Sequence, residues 1–197
     1  MAKKALCRKK ILVISGSPRK NGNTARLVKW FAAGARSAGA MVSIVDAAKL
    51  KSAVNGCTSC RMCQKSAKYE CVIKDEITPV LRKMAASDVI AMATPLYFYT
   101  PSAQLKLVMD RMFSLYKWDN TTDTFTTPME GKTLALIVSA YEDIGLDTIS
   151  KPFKFTADYS GMKYMSLLVP NAGESGQIEE IKGIRDKARK FGVKAAK

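Results

Sequence analysis

Lys10-Ile11-Leu12-Val13-Ile14-Ser15-Gly16-Ser17-Pro18-Arg19-Lys20-Asn21-Gly22-Asn23-Thr24 is the stretch that carries the fold. Lys10–Ser15 reads as a buried strand, a short β-branched run that stops at Gly16. A polar loop of hydroxyls, amides, glycines and one arginine follows. Leu27, Trp30, Phe31, Gly34 and Ala38 then recur at helical spacing and form one apolar face. Gly39 marks the helix stop. Met41–Val45, closed by Asp46, is a second strand. Strand, helix and strand make one βαβ unit.

The pattern repeats further along the chain. Residues 47–74 are irregular and hold four cysteines. Asp75 caps a helix with Ile77, Val80, Leu81 and Met84 inward and Pro79 in its first turn. Val89–Ala93 is a third strand. Thr100 and Pro101 read as the cap and first residue of a helix lined by Leu105, Val108, Met109, Met112, Phe113 and Tyr116. Residues 117–131 read as a polar loop, Thr133–Ala140 as a fourth strand and 146–159 as a helix. Tyr164–Val169 is a fifth strand. Gln177–Phe191 is a last helix with Ile178, Ile181, Ile184, Ala188 and Phe191 inward. Five apolar strands alternating with helices predict an α/β domain, a parallel sheet covered on both faces. With no repeat or low-complexity linker, the 197 residues read as a single domain.

The chain has 32 Lys+Arg, 17 Asp+Glu and no histidine, a net charge of +15. The missing histidine excludes Ser-His-Asp and Cys-His catalysis, His-ligated zinc and an imidazole acid or base. Chemistry must come from other side chains, the backbone or a bound cofactor. The charge gathers at the ends. Lys3, Lys4, Arg8, Lys9 and Lys10 stand at one, a basic extension over residues 1–9. Seven basic residues against Asp186 stand between 182 and 197 at the other. This pattern reads as solubilising termini, and no nucleic-acid reading motif accompanies it. A nucleic-acid-binding module is therefore the rival reading from another class, and no nucleic-acid partner is expected. No apolar run approaches the ~18 residues of a membrane span. Ile11–Ile14 is too short for a secretion signal. A cytoplasmic protein with no membrane partner is expected.

The loops after the strands carry the chemistry, because open parallel sheets bind ligands beyond the carboxyl ends of their strands. The first, Ser15–Thr24, enters a helix whose N-terminal N–H groups are free for an anion. Ser17, Asn23 and Thr24 can donate to phosphate oxygens, and Arg19 adds charge. The loop lacks the Gly-Lys-Ser/Thr ending of a triphosphate site and is not G-x-G-x-x-G. The second loop, Pro95–Tyr99, offers three successive aromatics against which a planar ring can stack. The third, Ser139–Asp143, closes the other side.

Several of these stretches resemble the NADPH-dependent FMN reductase and iron–sulfur flavoprotein group of the flavodoxin-like superfamily. They are Gly16–Thr24, the cysteine run into Val72-Ile73-Lys74-Asp75-Glu76, Thr94-Pro95-Leu96-Tyr97-Phe98, Lys106 to Asp110-Arg111, and Gly131-Lys132. They lie in order over about residues 10–140. The resemblance implies a doubly wound five-stranded sheet, order 2-1-3-4-5, that binds FMN non-covalently. The phosphate would lie on the loop of Ser15, Ser17, Pro18, Arg19, Asn21, Gly22, Asn23 and Thr24. The isoalloxazine would lie against Pro95, Leu96, Tyr97 and Phe98, with Ser139 and Tyr141 nearby. Where relatives have a Gly-rich stretch after the fourth strand, this chain has Ala140-Tyr141-Glu142-Asp143.

The cysteines follow Cys57-x2-Cys60-x2-Cys63-x7-Cys71 within a 55–74 insertion. Three close thiolates and one more distant suit a cubane. Redox-active thiols and structural zinc are the other readings, although zinc prefers separated pairs. The resemblance to iron–sulfur flavoproteins implies a 4Fe–4S cluster, while flavin-only relatives keep several such cysteines without one. Cys7, in the basic tail, reads as an ordinary thiol.

The expected protein is an FMN-dependent oxidoreductase. It takes electrons from NAD(P)H or a ferredoxin-like donor and passes them to a quinone, a flavin, another small acceptor or a protein. Its nearest alternative is an electron carrier using a 4Fe–4S cluster and FMN. No side chain is required as an acid or base, since the cofactor carries the hard step. The resemblance also implies a homodimer or homotetramer.

Overall fold

The computed structural model describes residues 8–197, so Cys7 and the first basic residues lie outside the described residues. A five-stranded parallel sheet is formed by β1 (Lys10–Ser15), β2 (Met41–Asp46), β3 (Val89–Pro95), β6 (Thr133–Ser139) and β7 (Lys163–Val169). Their order is β2-β1-β3-β6-β7, all neighbours parallel. It is the expected 2-1-3-4-5 order, with its switch point between β1 and β3.

Side-chain alternation divides the core. Leu12, Ile14, Ile90, Met92, Leu134 and Leu136 face one way and pack on α2 (Ile77–Ala85), α3 (Ala103–Arg111) and α4 (Leu146–Tyr159). Ile11, Val13, Val89, Ala91, Ala135 and Ile137 face the other way, onto α1 (Asn23–Ser37) and α5 (Ile184–Ala195). Period-two strands with both faces apolar demand this double cover.

Helices α1 and α5 approach through glycines. A Cβ on Gly34 would overlap the Arg189 carbonyl, and one on Gly192 the Phe31 carbonyl. Gly34→Ala is therefore expected to cost about 1–3 kcal/mol. Thermal melting should show it as a fall of roughly 2–4 °C per kcal/mol; an unchanged melt would deny the close approach.

Four expectations need correction. Edge strand β2 is not covered on both faces: Met41 and Ile44 are 47% and 46% exposed. The cap of α3 is Ser102, not Thr100; its hydroxyl accepts from the Leu105 N–H at 3.4 Å. Residues 117–131 are not all loop. They fold as the antiparallel hairpin β4 (Lys117–Asp119) and β5 (Thr124–Thr126), pinned by Trp118 against Phe125. The last helix is broken: Gly183 takes φ 75°, leaving a short turn at Gln177–Glu179 before α5.

Candidate functional site

The carboxyl ends of β1, β3 and β6 open onto a cavity of about 250 Å³. Ser17, Arg19, Gly22, Asn23 and Thr24 line one side, and Pro95, Leu96, Tyr97, Ser139 and Tyr141 the other. Of the expected binding residues, Ser15 is buried at the end of β1 and Pro18 and Asn21 lie exposed on the loop; none of the three lines the cavity. Phe98 instead lines a second cavity of about 240 Å³, with Tyr99, Glu142 and Ile144. The two share Leu96 and Tyr141. Together they reach the ~300–1,000 Å³ scale of a cofactor site.

One end of this space is built for an anion. Gly22 caps α1 in extended conformation with no side-chain cap bond, so the first-turn N–H groups have no acceptor within the helix. A Cβ on Gly22 would stand 3.0 Å from Arg19 Cβ and 3.5 Å from Ser17 Oγ, filling the cradle. Among the described residues, no acidic side chain lines this cavity.

The polar side chains of the loop are less free than their types suggest. Asn23, 6% exposed, gives both Nδ2 protons to the Ala172 and Glu174 carbonyls, at 2.6 and 2.7 Å. Its Oδ1 accepts from the N–H groups of Gly176 and Ile178, at 3.0 and 3.4 Å. It therefore holds the loop after β7 and offers a ligand only its backbone. Thr24 and Ser139 share a buried hydroxyl hydrogen bond of 2.7 Å that ties α1 to β6. Ser102 Oγ donates to the Gly16 carbonyl at 2.6 Å and fixes the first loop against α3.

The aromatic wall is a tight turn. Tyr97 and Thr100 exchange backbone hydrogen bonds of 3.1 and 2.9 Å, while Phe98 and Tyr99 both take positive φ, 45° and 65°. Two consecutive bulky residues in the left-handed region are rare, and such strain marks functional turns. Phe98 stands 96% exposed. Tyr141 packs against Gly173, where a Cβ would overlap its ring. The segment Ala172–Gly176 escaped the sequence reading. Its signal is the Asn171-Ala172-Gly173-Glu174-Ser175-Gly176 turn chemistry beyond a fifth strand end.

All four cysteines border one small cavity of about 20 Å³, with Arg111 in its wall. Cys63 and Cys71 are buried; Cys57 and Cys60 are exposed. Hydrogen bonds from the Met62 backbone and the Thr58 side chain hold the Cys60 thiol below its ordinary range. Among the described residues, no three His, Cys, Asp or Glu side chains are arranged to ligate one metal ion. The donor set and the buried guanidinium suit an anionic, sulfur-ligated group in kind. The space admits about one water, so anything larger needs the loop to open.

A larger cavity, about 740 Å³, lies elsewhere, between α3, the hairpin and α4. It is walled by Phe113, Tyr116, Trp118, Phe155 and Tyr159, and its charged groups are Asp110 and Asp158. Carboxylates and the absence of a helix N-terminus make it a poor phosphate site. Among the described residues no helix is long and apolar enough to cross a membrane.

The fold has many counterparts among solved structures. An NAD(P)H:quinone oxidoreductase from Methanothermobacter marburgensis superposes with TM-score 0.71 at 13% identity, covering 95% of this chain and 98% of that one. An FMN-dependent NADH-azoreductase from Bacillus anthracis gives 0.71 at 12% identity, covering 96% and 100%. An archaeal flavodoxin gives 0.59 at 14%, covering 95% and 96%. At such identities the likeness shows the fold, which is flavodoxin-like. Closer in sequence are an iron–sulfur flavoprotein of Methanocaldococcus jannaschii, 38% identical over 102 residues, and one of Archaeoglobus fulgidus, 35% over 103. Each match covers 52% of this chain and 51% or 45% of the relative, so the chain spans about half the length of the curated relatives it matches. The model of the NADPH-dependent FMN reductase family matches residues 9–174. The chain belongs to the NADPH-dependent FMN reductase family.

Proposed function

We propose that the chain is an FMN-dependent oxidoreductase that moves electrons from NAD(P)H or a reduced protein donor to a quinone, a flavin or another small acceptor. The observation that carries this reading is the continuity of an uncapped helix N-terminus, Arg19 and an apolar ring-sized wall in one cleft. The first-turn N–H groups of α1 and the Ser17 hydroxyl bind the phosphate, with Arg19 as its counter-charge. Pro95, Leu96, Tyr97 and Tyr141 would hold the ring and exclude water from it. When bound, FMN supplies hydride acceptance and stepwise electron release. No titratable side chain is needed at the reacting atoms, which agrees with a chain that has no histidine.

The test is a titration of flavin-free protein with FMN, followed by anaerobic mixing with NADPH. Saturable quenching of flavin fluorescence and bleaching of the flavin band support the reading. No binding at all would sink it, and binding without reduction by NADPH would favour a protein donor.

A second reading, an iron–sulfur flavoprotein acting as a carrier, is favoured by the four cysteines around one cavity. The relatives' names point the same way. Cys57, Cys60, Cys63 and Cys71 would hold a 4Fe–4S cluster, which supplies single-electron transfer. Iron and acid-labile sulfide in anaerobically prepared protein decide it. A homodimer or homotetramer in the cytoplasm belongs to the same proposal: the exposed Phe98 tip suits a subunit contact, and light scattering tests it.

A further inference from the structure

Arg111, at the end of α3, is the largest fully buried side chain of the described residues and has 0% side-chain exposure. Its Nη atoms are spent on the base of the cysteine loop. Nη1 donates to Asp75, and Nη2 to the Ile73 carbonyl at 3.0 Å and to Thr78 Oγ1 at 3.1 Å. Its Nε is buried too and has no partner among the described residues. Buried donors are normally paired, so one left over marks a missing acceptor.

The surroundings say what that acceptor is. Arg111 lines the cavity bordered by the four cysteines, and Asp75 does not. The positive end of the buried pair therefore faces the thiols. Cys71 is one of the two buried cysteines of that cavity, and it lies two residues before Ile73, whose carbonyl Arg111 already holds. Arg61 borders the same cavity but is exposed, where solvent and salt screen its charge. Arg111 is the fixed, dry cation of the site.

We propose that Arg111 is a positioning residue for an anionic sulfur centre: its Nε–H donates to the Cys71 sulfur when that sulfur is a cluster ligand. The inference rests on the reading that Cys57, Cys60, Cys63 and Cys71 hold a 4Fe–4S cluster. Hydrogen bonds to cluster sulfurs and nearby positive charge stabilise the more negative, reduced state and raise the midpoint potential. A guanidinium suits the task because it keeps its charge when buried and bonds two partners on one side while presenting a third donor on another.

The test uses the full chain, reconstituted anaerobically with iron and sulfide. Iron and sulfide are measured first: wild-type protein that takes up neither overturns the cluster reading and this inference with it. Where the cluster assembles, protein labelled with ¹⁵N-arginine is reduced and its hyperfine spectrum recorded. A coupling from one arginine nitrogen is expected, and its absence overturns the role of Arg111 while leaving the cluster reading intact. Arg111→Lys keeps a cation for Asp75 but lacks the Nε–H. It is expected to retain iron and to titrate at a lower midpoint potential, with the arginine coupling gone. A potential equal to that of the wild type overturns the inference. Where the variant fails to fold, the wild-type spectrum alone decides.

Discussion

Arg111→Met is expected to destabilise the fold by about 3–5 kcal/mol, because it leaves the Asp75 carboxylate buried without its cation. The Asp75 side chain is only 5% exposed and the Arg111 side chain 0%. Against a typical total of roughly 5–15 kcal/mol, such a loss is about a fifth or more. Chemical denaturation should show a lower midpoint with little change in slope. The second variant that isolates the cause is Arg111→Met with Asp75→Asn. The amide removes the stranded charge but keeps an oxygen for the Ile77 and Thr78 N–H groups, which Asp75 Oδ1 accepts at 3.1 and 3.3 Å. Part of the loss should return. A single variant as stable as the wild type would mean that the pair contributes nothing.

The same pair sets a pH dependence. Burial by itself pushes the Asp75 carboxyl up. Hydrogen bonds from Arg111 and from the Ala53 and Ile77 N–H groups, with the guanidinium charge, outweigh it and hold the group below 3.8. A value depressed by folding adds stability that is complete above the unfolded value near 3.8 and is lost as pH falls below it. The gap between wild type and Arg111→Met should therefore narrow as pH falls, beginning where the variant's stranded carboxyl, which burial pushes up, takes its proton. A gap that widens in acid would reverse the sign and place the stabilising charge elsewhere.

The sheet is legible in the sequence because its information is local. Ile11–Ile14, Val89–Ala93 and Thr133–Ala140 are short β-branched runs bounded by Gly, Pro or polar residues, and each became a central strand. The loops at the strand ends were legible in part for the same reason: Ser17, Arg19, Gly22, Asn23 and Thr24 face one cavity with Pro95, Leu96 and Tyr97, while Pro18 and Asn21 do not. What a side chain does there depends on partners that sequence spacing cannot reveal. Asn23 finds its acceptors 149 and 151 residues away, and Arg111 finds Asp75 at a separation of 36. Strand β2 misled for a different reason. Met41, Val42, Ile44 and Val45 are apolar, but an edge position leaves Met41 and Ile44 half in solvent. Thr100-Pro101 imitates a helix start, yet the Thr94 hydroxyl accepts from the Ser102 N–H at 2.9 Å and moves the cap two residues on.

Asn23→Ala is expected to weaken FMN binding roughly 10–100-fold, as the loss of paired buried polar groups worth about 1–3 kcal/mol each. The cause is not a lost phosphate ligand, because both Nδ2 protons are already given to the Ala172 and Glu174 carbonyls. The substitution strands the buried Ile178 N–H and releases the loop. That loop places Ala172 and Gly173 in the cavity wall and seats the Tyr141 ring on Gly173. The two roles differ in what they predict for riboflavin, which has the ring and no phosphate. If Asn23 holds the loop, riboflavin and FMN lose affinity by the same factor. If it bound the phosphate, FMN alone would suffer and riboflavin would bind as before. Arg19→Ala supplies the opposite control, since among the described residues its exposed guanidinium makes one hydrogen bond, a long one of 3.5 Å to the Gly173 carbonyl. It should weaken FMN and spare riboflavin. Equal losses in both variants for both ligands would mean that the anion end and the ring end of the cleft are not separable, and that the loop after β7, rather than the first loop, governs the whole site.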